Sequence, residues 1–204
     1  MLHYEAVDSS TLEVLKVLLE IPVFSELRLV GGTSLALQIG HRKSIDIDLF
    51  GLLEADDLTI SSALRVFDDV VIVQKSENIR IYSIEGIKVD IVNYTYPWLA
   101  SLKSEDGIRL AQIEDIAAMK MSAITGRGTK KDFVDISFLL HHFSMKQILE
   151  FYARKYYDGS DFLVIKSLTY FDDADQEPDP LMLQKMDWNE TKRLIISKLD
   201  DFLN

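Results

Sequence analysis

Leu29-Val-Gly-Gly-Thr-Ser-Leu-Ala-Leu-Gln-Ile-Gly-His-Arg-Lys-Ser-Ile-Asp-Ile-Asp-Leu49 joins a double-glycine turn to an Asp-x-Asp pair within twenty-one residues. The alternation from Ile45 to Leu49 has the period of a strand, with Asp46 and Asp48 on one face and Ile45, Ile47 and Leu49 on the other. Two carboxylates on one face repel unless water or a cation separates them. Taken alone, the pair fits either an exposed, solvated strand face or a site for a hard cation such as Mg²⁺, which takes oxygen ligands and completes its shell with water and phosphate.

The residues upstream favour the second reading. Leu27-Arg-Leu-Val30 reads as a short buried strand, and Gly31-Gly32 lets the backbone turn where side chains would crowd a ligand. Thr33 or Ser34 is then expected to cap a helix through Ala36, Leu37 and Ile39, stopped by Gly40. A helix that starts from bare backbone offers its first N–H groups to phosphate.

Further along, Val70–Val73, Ile79–Tyr82 and Ile87–Val92 read as strands, the last two joined by a turn at Glu85-Gly86. Lys88, Asp90 and Val92 share one face of the third strand, so Asp90 is either an ordinary exposed strand residue or a third acidic ligand. Ile113–Arg127 has helical spacing, and Lys120 and Arg127 fall seven apart on the face that also carries Ile116, Ala117, Ala123 and Ile124. Two cations inside an apolar stripe either snorkel outward or meet an anion such as triphosphate. Thr129 is expected to cap the next helix, which places Asp132 and Asp135 on one face, with Lys131 one turn from Asp135.

Together these motifs resemble the DNA polymerase β-type nucleotidyltransferase superfamily, and in wording the AbiEii/AbiGii toxin family of bacterial nucleotidyltransferases. The resemblance rests on Val30-Gly-Gly-Thr-Ser…Asp46-Ile-Asp48, on Asp90, on Lys120…Arg127 and on Arg127…Lys130-Lys-Asp132…Asp135. It continues through Leu168–Met182 to Trp188 and so covers roughly residues 25 to 190.

It implies an α+β fold, with an N-terminal mixed-sheet lobe over residues 1–104 and an all-helical lobe over 105–204. It implies a Mg²⁺-dependent enzyme (two metal ions, Mn²⁺ as an alternative) that moves a nucleoside monophosphate from a nucleoside triphosphate to an acceptor hydroxyl. Asp46, Asp48 and Asp90 would hold metal, Lys120 would join them in catalysis, and Gly31, Gly32, Thr33, Ser34, Lys120, Arg127 and Asp132 would bind nucleotide. The implied acceptor is RNA, with the tRNA 3′ end foremost, and the implied partner is a cognate antitoxin. Two rivals stand beside it: AMP transfer to a protein hydroxyl, and a non-catalytic nucleotide-binding relative.

Composition agrees. A chain of 204 residues, 48% apolar, can bury a core as one domain or as two closely packed lobes. No apolar run is long enough for a bilayer and no signal pattern opens the chain, so the expectation is a cytoplasmic protein with no membrane partner. Zero cysteines exclude disulfides and thiolate metal sites, and the four histidines lack zinc spacing. A net charge of −11 argues against a general nucleic-acid coat, though Arg42, Lys43, Lys120, Arg127, Lys130 and Lys131 suggest a local basic groove. Asp172–Pro180 reads as an acidic loop, since Pro178 stands where a calcium loop needs glycine. The sequence has neither a Walker-type Gly-x-x-x-x-Gly-Lys loop nor a Gly-x-Gly-x-x-Gly turn.

Overall fold

The computed structural model describes all 204 residues. They form two compact units. The first comprises residues 1–40, 44–95 and 102–111, and the second comprises 41–43, 96–101 and 112–204.

The first unit holds a seven-stranded mixed sheet. Its strands are β1 (Arg28–Leu29), β2 (Ile47–Gly51), β3 (Val70–Lys75), β4 (Ile79–Ile84), β5 (Ile87–Asn93), β6 (Lys103–Glu105) and β7 (Ile108–Leu110), in the order β3-β4-β5-β2-β1-β7-β6. β3, β4 and β5 form an antiparallel meander, and β2 joins its end parallel to β5. Along β2, Ile47 and Leu49 are buried and alternate with half-buried Asp48 and Phe50. β5 repeats the pattern with Val89 and Ile91 buried around Asp90. One face of this strand pair therefore belongs to the core and the other carries acids.

Helix α1 (Ser9–Glu20) packs along β7, and α2 (Gly31–Ile39) along β2. Phe24, Leu15, Leu18, Leu27, Leu35 and Leu37 are among its fully buried side chains. α2 ends as the sequence suggests, with Gly40 left-handed at φ 62° and its N–H donating to Ala36 at 2.8 Å. Its start differs. The N-cap position is Val30, without a side-chain cap, and Thr33 and Ser34 lie buried inside the helix. The glycines turn the chain so tightly that the helix begins two residues before the hydroxyls.

Two elements escape the sequence reading. Helix α3 (Asp57–Ala63) is capped by the Asp56 carboxylate, which accepts the Thr59 N–H at 2.8 Å. The β6–β7 hairpin turns at Asp106-Gly107, both with positive φ, as Glu85-Gly86 does between β4 and β5. Residues 102–111, which straddle the boundary expected near residue 104, lie wholly with the sheet because β7 pairs parallel to β1.

The second unit contains α4 (Ile113–Gly126), α5 (Lys130–Leu139), α6 (Met145–Lys155), α7 (Asp161–Ser167), α8 (Asp172–Asp175) and α9 (Trp188–Leu203). α4 packs against α5, α6 and α7, and α9 against α5 and α6. α4 ends one residue short of the Ile113–Arg127 pattern, and α5 stops at Leu139 with His141 and His142 in the turn beyond it. Asp172–Asp175, expected as loop, makes one helical turn.

Between these helices sits a fully buried ion pair. Lys155 Nζ lies 2.7 Å from Asp115 Oδ1 and 2.9 Å from the Pro97 carbonyl, and 4.5 Å from the Trp98 ring centroid. Asp115 also accepts the N–H groups of Leu99 and Ala100 at 2.9 and 3.2 Å. The pair fastens residues 96–101 to α4 and α6. Asp115→Ala would strand the Lys155 ammonium without its anion, so urea denaturation should show a loss of about 3–5 kcal/mol. A loss under about 1 kcal/mol would mean that water or a neighbour replaces the carboxylate.

Candidate active site

In the sheet unit the acids come together through strand register. β2 and β5 run parallel with Asp48 opposite Asp90, flanked by the buried pairs Ile47 with Val89 and Leu49 with Ile91. Adjacent strands lie about 4.8 Å apart, so the two carboxylates are direct neighbours on one face. Asp46 precedes β2 rather than lying within it, and its carbonyl accepts from the Thr33 hydroxyl, which also meets Ser44 Oγ at 2.9 Å. The strand expected from Ile45 therefore begins at Ile47, with Asp46 just before it. Thr33 pins the chain just before the strand starts.

Gly31 is tied to Asp48 by space. Its φ is 67°, and a Cβ built there would sit 2.2 Å from Asp48 Oδ2. The Val30 N–H donates to the Asp48 carbonyl at 2.9 Å, which holds the turn against the strand. Uncapped, the N-terminus of α2 thus starts at the Asp48 carboxylate, with its first N–H groups lacking intrahelical acceptors. The hydroxyls of Thr33 and Ser34 are fully buried, so what this turn presents to a ligand is backbone.

Asp90 completes the arrangement. Lys88, two residues back on the same face, meets its Oδ2 at 2.7 Å, while Oδ1 is buried without a hydrogen-bond partner. An unsatisfied carboxylate oxygen next to a second carboxylate is costly, and a cation would relieve both. No three acidic or imidazole groups of the chain converge on one point, so the protein alone does not form a closed metal cage. Mg²⁺ commonly binds through one or two carboxylates and completes its shell with water and phosphate. The orphaned Asp90 oxygen and its Asp48 neighbour fit that mode of binding.

In the helical unit the two expected cations also meet, around acids. Lys120 Nζ lies 2.8 Å from Asp132 Oδ1 and 2.6 Å from Asp135 Oδ2. Arg127 holds Asp132 through Nε at 2.9 Å and Nη2 at 3.2 Å, and the Thr129 hydroxyl donates to Asp132 Oδ2 at 2.7 Å. Arg42 grips Asp135 with Nε and Nη2 at 2.7 and 2.8 Å, and His41 Nε2 lies 2.7 Å from Oδ1. Three cations thus surround two carboxylates, leaving one net positive charge. Arg127 is where that charge reaches the surface, its side chain 66% exposed, whereas Lys120 is buried.

Several expectations change here. Asp135 pairs with Arg42, His41 and Lys120, and Lys131 points to solvent instead. Arg42, Lys120 and Lys130 are buried, so they do not line an open basic groove. Asp132 is enclosed as a counter-ion to Lys120 and Arg127. Arg42, grouped with Lys120 by the sequence, joins it here inside the protein on Asp135. His41 is a member that the sequence does not point to, its only signal being a place just after a helix-ending glycine.

Burial and charge set the protonation of the network. Burial alone would raise both carboxylates, but Lys120, with Arg42 at Asp135 and Arg127 at Asp132, outweighs it and holds both well below the usual range. Burial would likewise depress Lys120, yet Asp135 and Asp132 keep its ammonium above the ordinary value. For His41 burial wins over Asp135 and pushes the imidazole down. The neutral ring then donates from Nε2 to Asp135, leaving Nδ1 buried and unpartnered.

A mixed sheet that sets paired acids beside a glycine-led helix start, followed in the chain by a Lys/Arg–Asp helical pair, is the arrangement that the nucleotidyltransferase resemblance implies. The model of the nucleotidyl transferase AbiEii toxin family, of type IV toxin–antitoxin systems, matches residues 13–203, and the chain belongs to that family. An uncharacterized protein of Aquifex aeolicus strain VF5 is 32% identical over 199 residues, 94% of this chain and 95% of that one. A crystal structure of a candidate nucleotidyltransferase from Helicobacter pylori aligns with TM-score 0.63 at 21% identity, covering 95% and 94% of the two chains. MenT4, a nucleotidyltransferase toxin of Mycobacterium tuberculosis H37Rv, aligns with TM-score 0.61 at 13% identity, covering 94% and 82%. At such identities these two structures speak for the fold.

Two outcomes follow from the geometry. Gly31→Ala forces the new methyl onto Asp48 Oδ2 in a strained backbone, so nucleotidyl transfer should fall about a hundredfold, as a shift of about 1 Å in a reacting group does. Unchanged turnover would show that Asp48 has room to move aside. The second concerns pH. His41, depressed in the fold, contributes stability that is complete above about pH 6.5 and is lost as pH falls through its folded value. Asp132 and Asp135, also depressed, contribute stability present above about pH 3.9 and lost below it. Urea melts of the native protein should therefore weaken from about pH 6.5 downward, and His41→Gln should flatten the slope above pH 5. An identical slope in that variant would remove His41 as its source.

Proposed function

We propose that this protein transfers a nucleoside monophosphate from a nucleoside triphosphate to a hydroxyl of an RNA acceptor, the tRNA 3′ end foremost. It would act as the toxin of a toxin–antitoxin pair, with a cognate antitoxin as its protein partner. The observation that carries the reading is the Asp48–Asp90 pair, with one carboxylate oxygen unsatisfied, beside the uncapped start of α2. MenT4, whose fold this chain shares, is itself described as a nucleotidyltransferase toxin. No helix is long and apolar enough to cross a membrane.

Asp48 and Asp90, with Asp46 beside them in sequence, are the residues that would hold Mg²⁺ or Mn²⁺, two ions by family resemblance. When bound, such ions neutralise charge on the phosphates and make the attacking oxygen more nucleophilic. The chain's own groups do the rest. Backbone N–H groups at Gly31, Gly32 and Thr33 receive phosphate oxygens at the positive end of α2. The Thr33 and Ser34 side chains hold the turn in place. The Asp90 carboxylate helps take the proton from the acceptor hydroxyl, whose oxygen bonds to the α-phosphorus. The bond from that phosphorus to the β-bridging oxygen breaks, and pyrophosphate leaves. In the helical unit we assign phosphate to Arg127, which carries the exposed charge. Lys120 acts through Asp132, keeping Arg127's anchor ionised.

The test incubates the protein with each α-labelled nucleoside triphosphate, Mg²⁺, total RNA and cell extract. Label should enter small RNA, stop on chelation, and drop on the order of a hundredfold or more in Asp48→Asn and Asp90→Asn. Label in a protein band instead would show a protein-modifying enzyme. Binding without transfer, from folded protein, would overturn catalysis.

A further inference from the structure

β3 is a terminal strand of the sheet, paired only with β4, and its other edge carries unpaired backbone groups. Its composition is unusual for such a position. Val71, Ile72 and Val73 are 52%, 55% and 64% exposed, so apolar side chains stand in water on both faces. Natural edges are commonly guarded by charges, proline, bulges or very short strands. This edge has six residues without proline, and its guards are a register shift between Ile72 and Gln74 and the terminal Lys75, which leave residues 70–72 as a regular apolar stretch. The sheet's other end, β6, has three residues and is charged at Lys103 and Glu105.

On one face the strand borders a groove of about 270 Å³. Leu64, Phe67, Val70, Ile72 and Tyr82 supply its apolar lining. An added strand gains affinity from backbone hydrogen bonds and specificity from a pocket for alternate side chains. Both parts are present at β3.

The residues also specify the occupant. The segment reads Asp69-Val-Val-Ile-Val-Gln-Lys75. Laid antiparallel on itself with Ile72 opposite Ile72, it sets Val71 against Val73, Val70 against Gln74, and Asp69 against Lys75 at both ends. Apolar residues meet in the centre and opposite charges meet at each end, the condition for a two-fold contact between identical surfaces. Lys75 also touches Asp57 of its own chain, so at this pairing it contributes charge rather than a free donor. Each copy has one such edge, and the two consume each other, so the assembly closes at two instead of growing into a fibre.

We propose that β3 is the contact through which two copies of this chain pair edge to edge, antiparallel about a two-fold axis at Ile72. The pairing buries the exposed valines and Ile72 and brings the partner's Ile72 beside the groove.

Sedimentation equilibrium of the full chain tests this over a wide concentration range. Salt of about 0.15 M leaves cross-strand neighbours in play while screening charges more than about 8 Å apart. The expected result is a monomer–dimer equilibrium that Ile72→Lys abolishes, with an unchanged circular dichroism spectrum because the side chain is exposed. Asp69→Lys and Lys75→Glu should each weaken association about tenfold, since either makes like charges meet at both ends. Mixing the two variants restores opposite charges at both ends and should recover the wild-type constant. A wild-type monomer throughout, a dimer that survives Ile72→Lys, or charge variants that do not recover on mixing would each overturn the proposal.

Discussion

The parallel pairing of β2 with β5 is the constraint from which the acidic site follows. Register in a sheet is set by which residues must be buried, and here Ile47, Leu49, Val89 and Ile91 all must be. A slip of one residue would bury the aspartates and expose the aliphatics. The core therefore selects the alignment that sets Asp48 beside Asp90, and hydrophobic burial overrides the repulsion between them. What remains is a locally unfavourable pair held by a favourable sheet, with one Asp90 oxygen unsatisfied. Active sites are commonly built this way, with local cost carried by the surrounding fold.

The helical unit solves the opposite problem. Lys120 and Arg42 are cations inside a packed bundle, and burial alone would neutralise or expel them. Two carboxylates three residues apart on α5 receive both, along with Arg127 and His41. Buried ion clusters of this kind add little net stability over apolar packing, and removing one member is costly. Their effect is to fix orientation. Asp132, clamped by Lys120 and Thr129, sets where the Arg127 guanidinium lies, and Arg127 alone of the three cations reaches far into solvent. The same logic recurs at Lys155 and Asp115, where the pair fastens an irregular segment to two helices.

Much of this was legible in the sequence, and the misses have physical causes. α4 has a long periodic pattern, and its bounds matched to within one residue. The hairpin at Asp106-Gly107 was missed because its strands have three residues each, too few to show alternation, although an acidic residue followed by glycine also marks the turn at Glu85-Gly86. Lys130 read as part of an open groove because type and spacing reveal proximity but not exposure. Asp135 appeared one turn from Lys131, yet a charge 93 residues away in sequence, Arg42, takes it instead.

The sequence by itself determined that Gly31-Gly32 leads into a helix, that Asp48 and Asp90 each lie on a strand between buried aliphatics, and that Lys120 and Arg127 fall seven apart in one helical pattern. These are properties of local periodicity and residue type, which short-range geometry reads directly. Only the tertiary structure decided which acid faces which, that Asp46 falls outside its strand, and that Lys120 is enclosed while Arg127 is exposed. It also decided that β3 ends with its apolar side chains in water. Those outcomes depend on strand register and on burial by residues distant in the chain, and no local pattern encodes either.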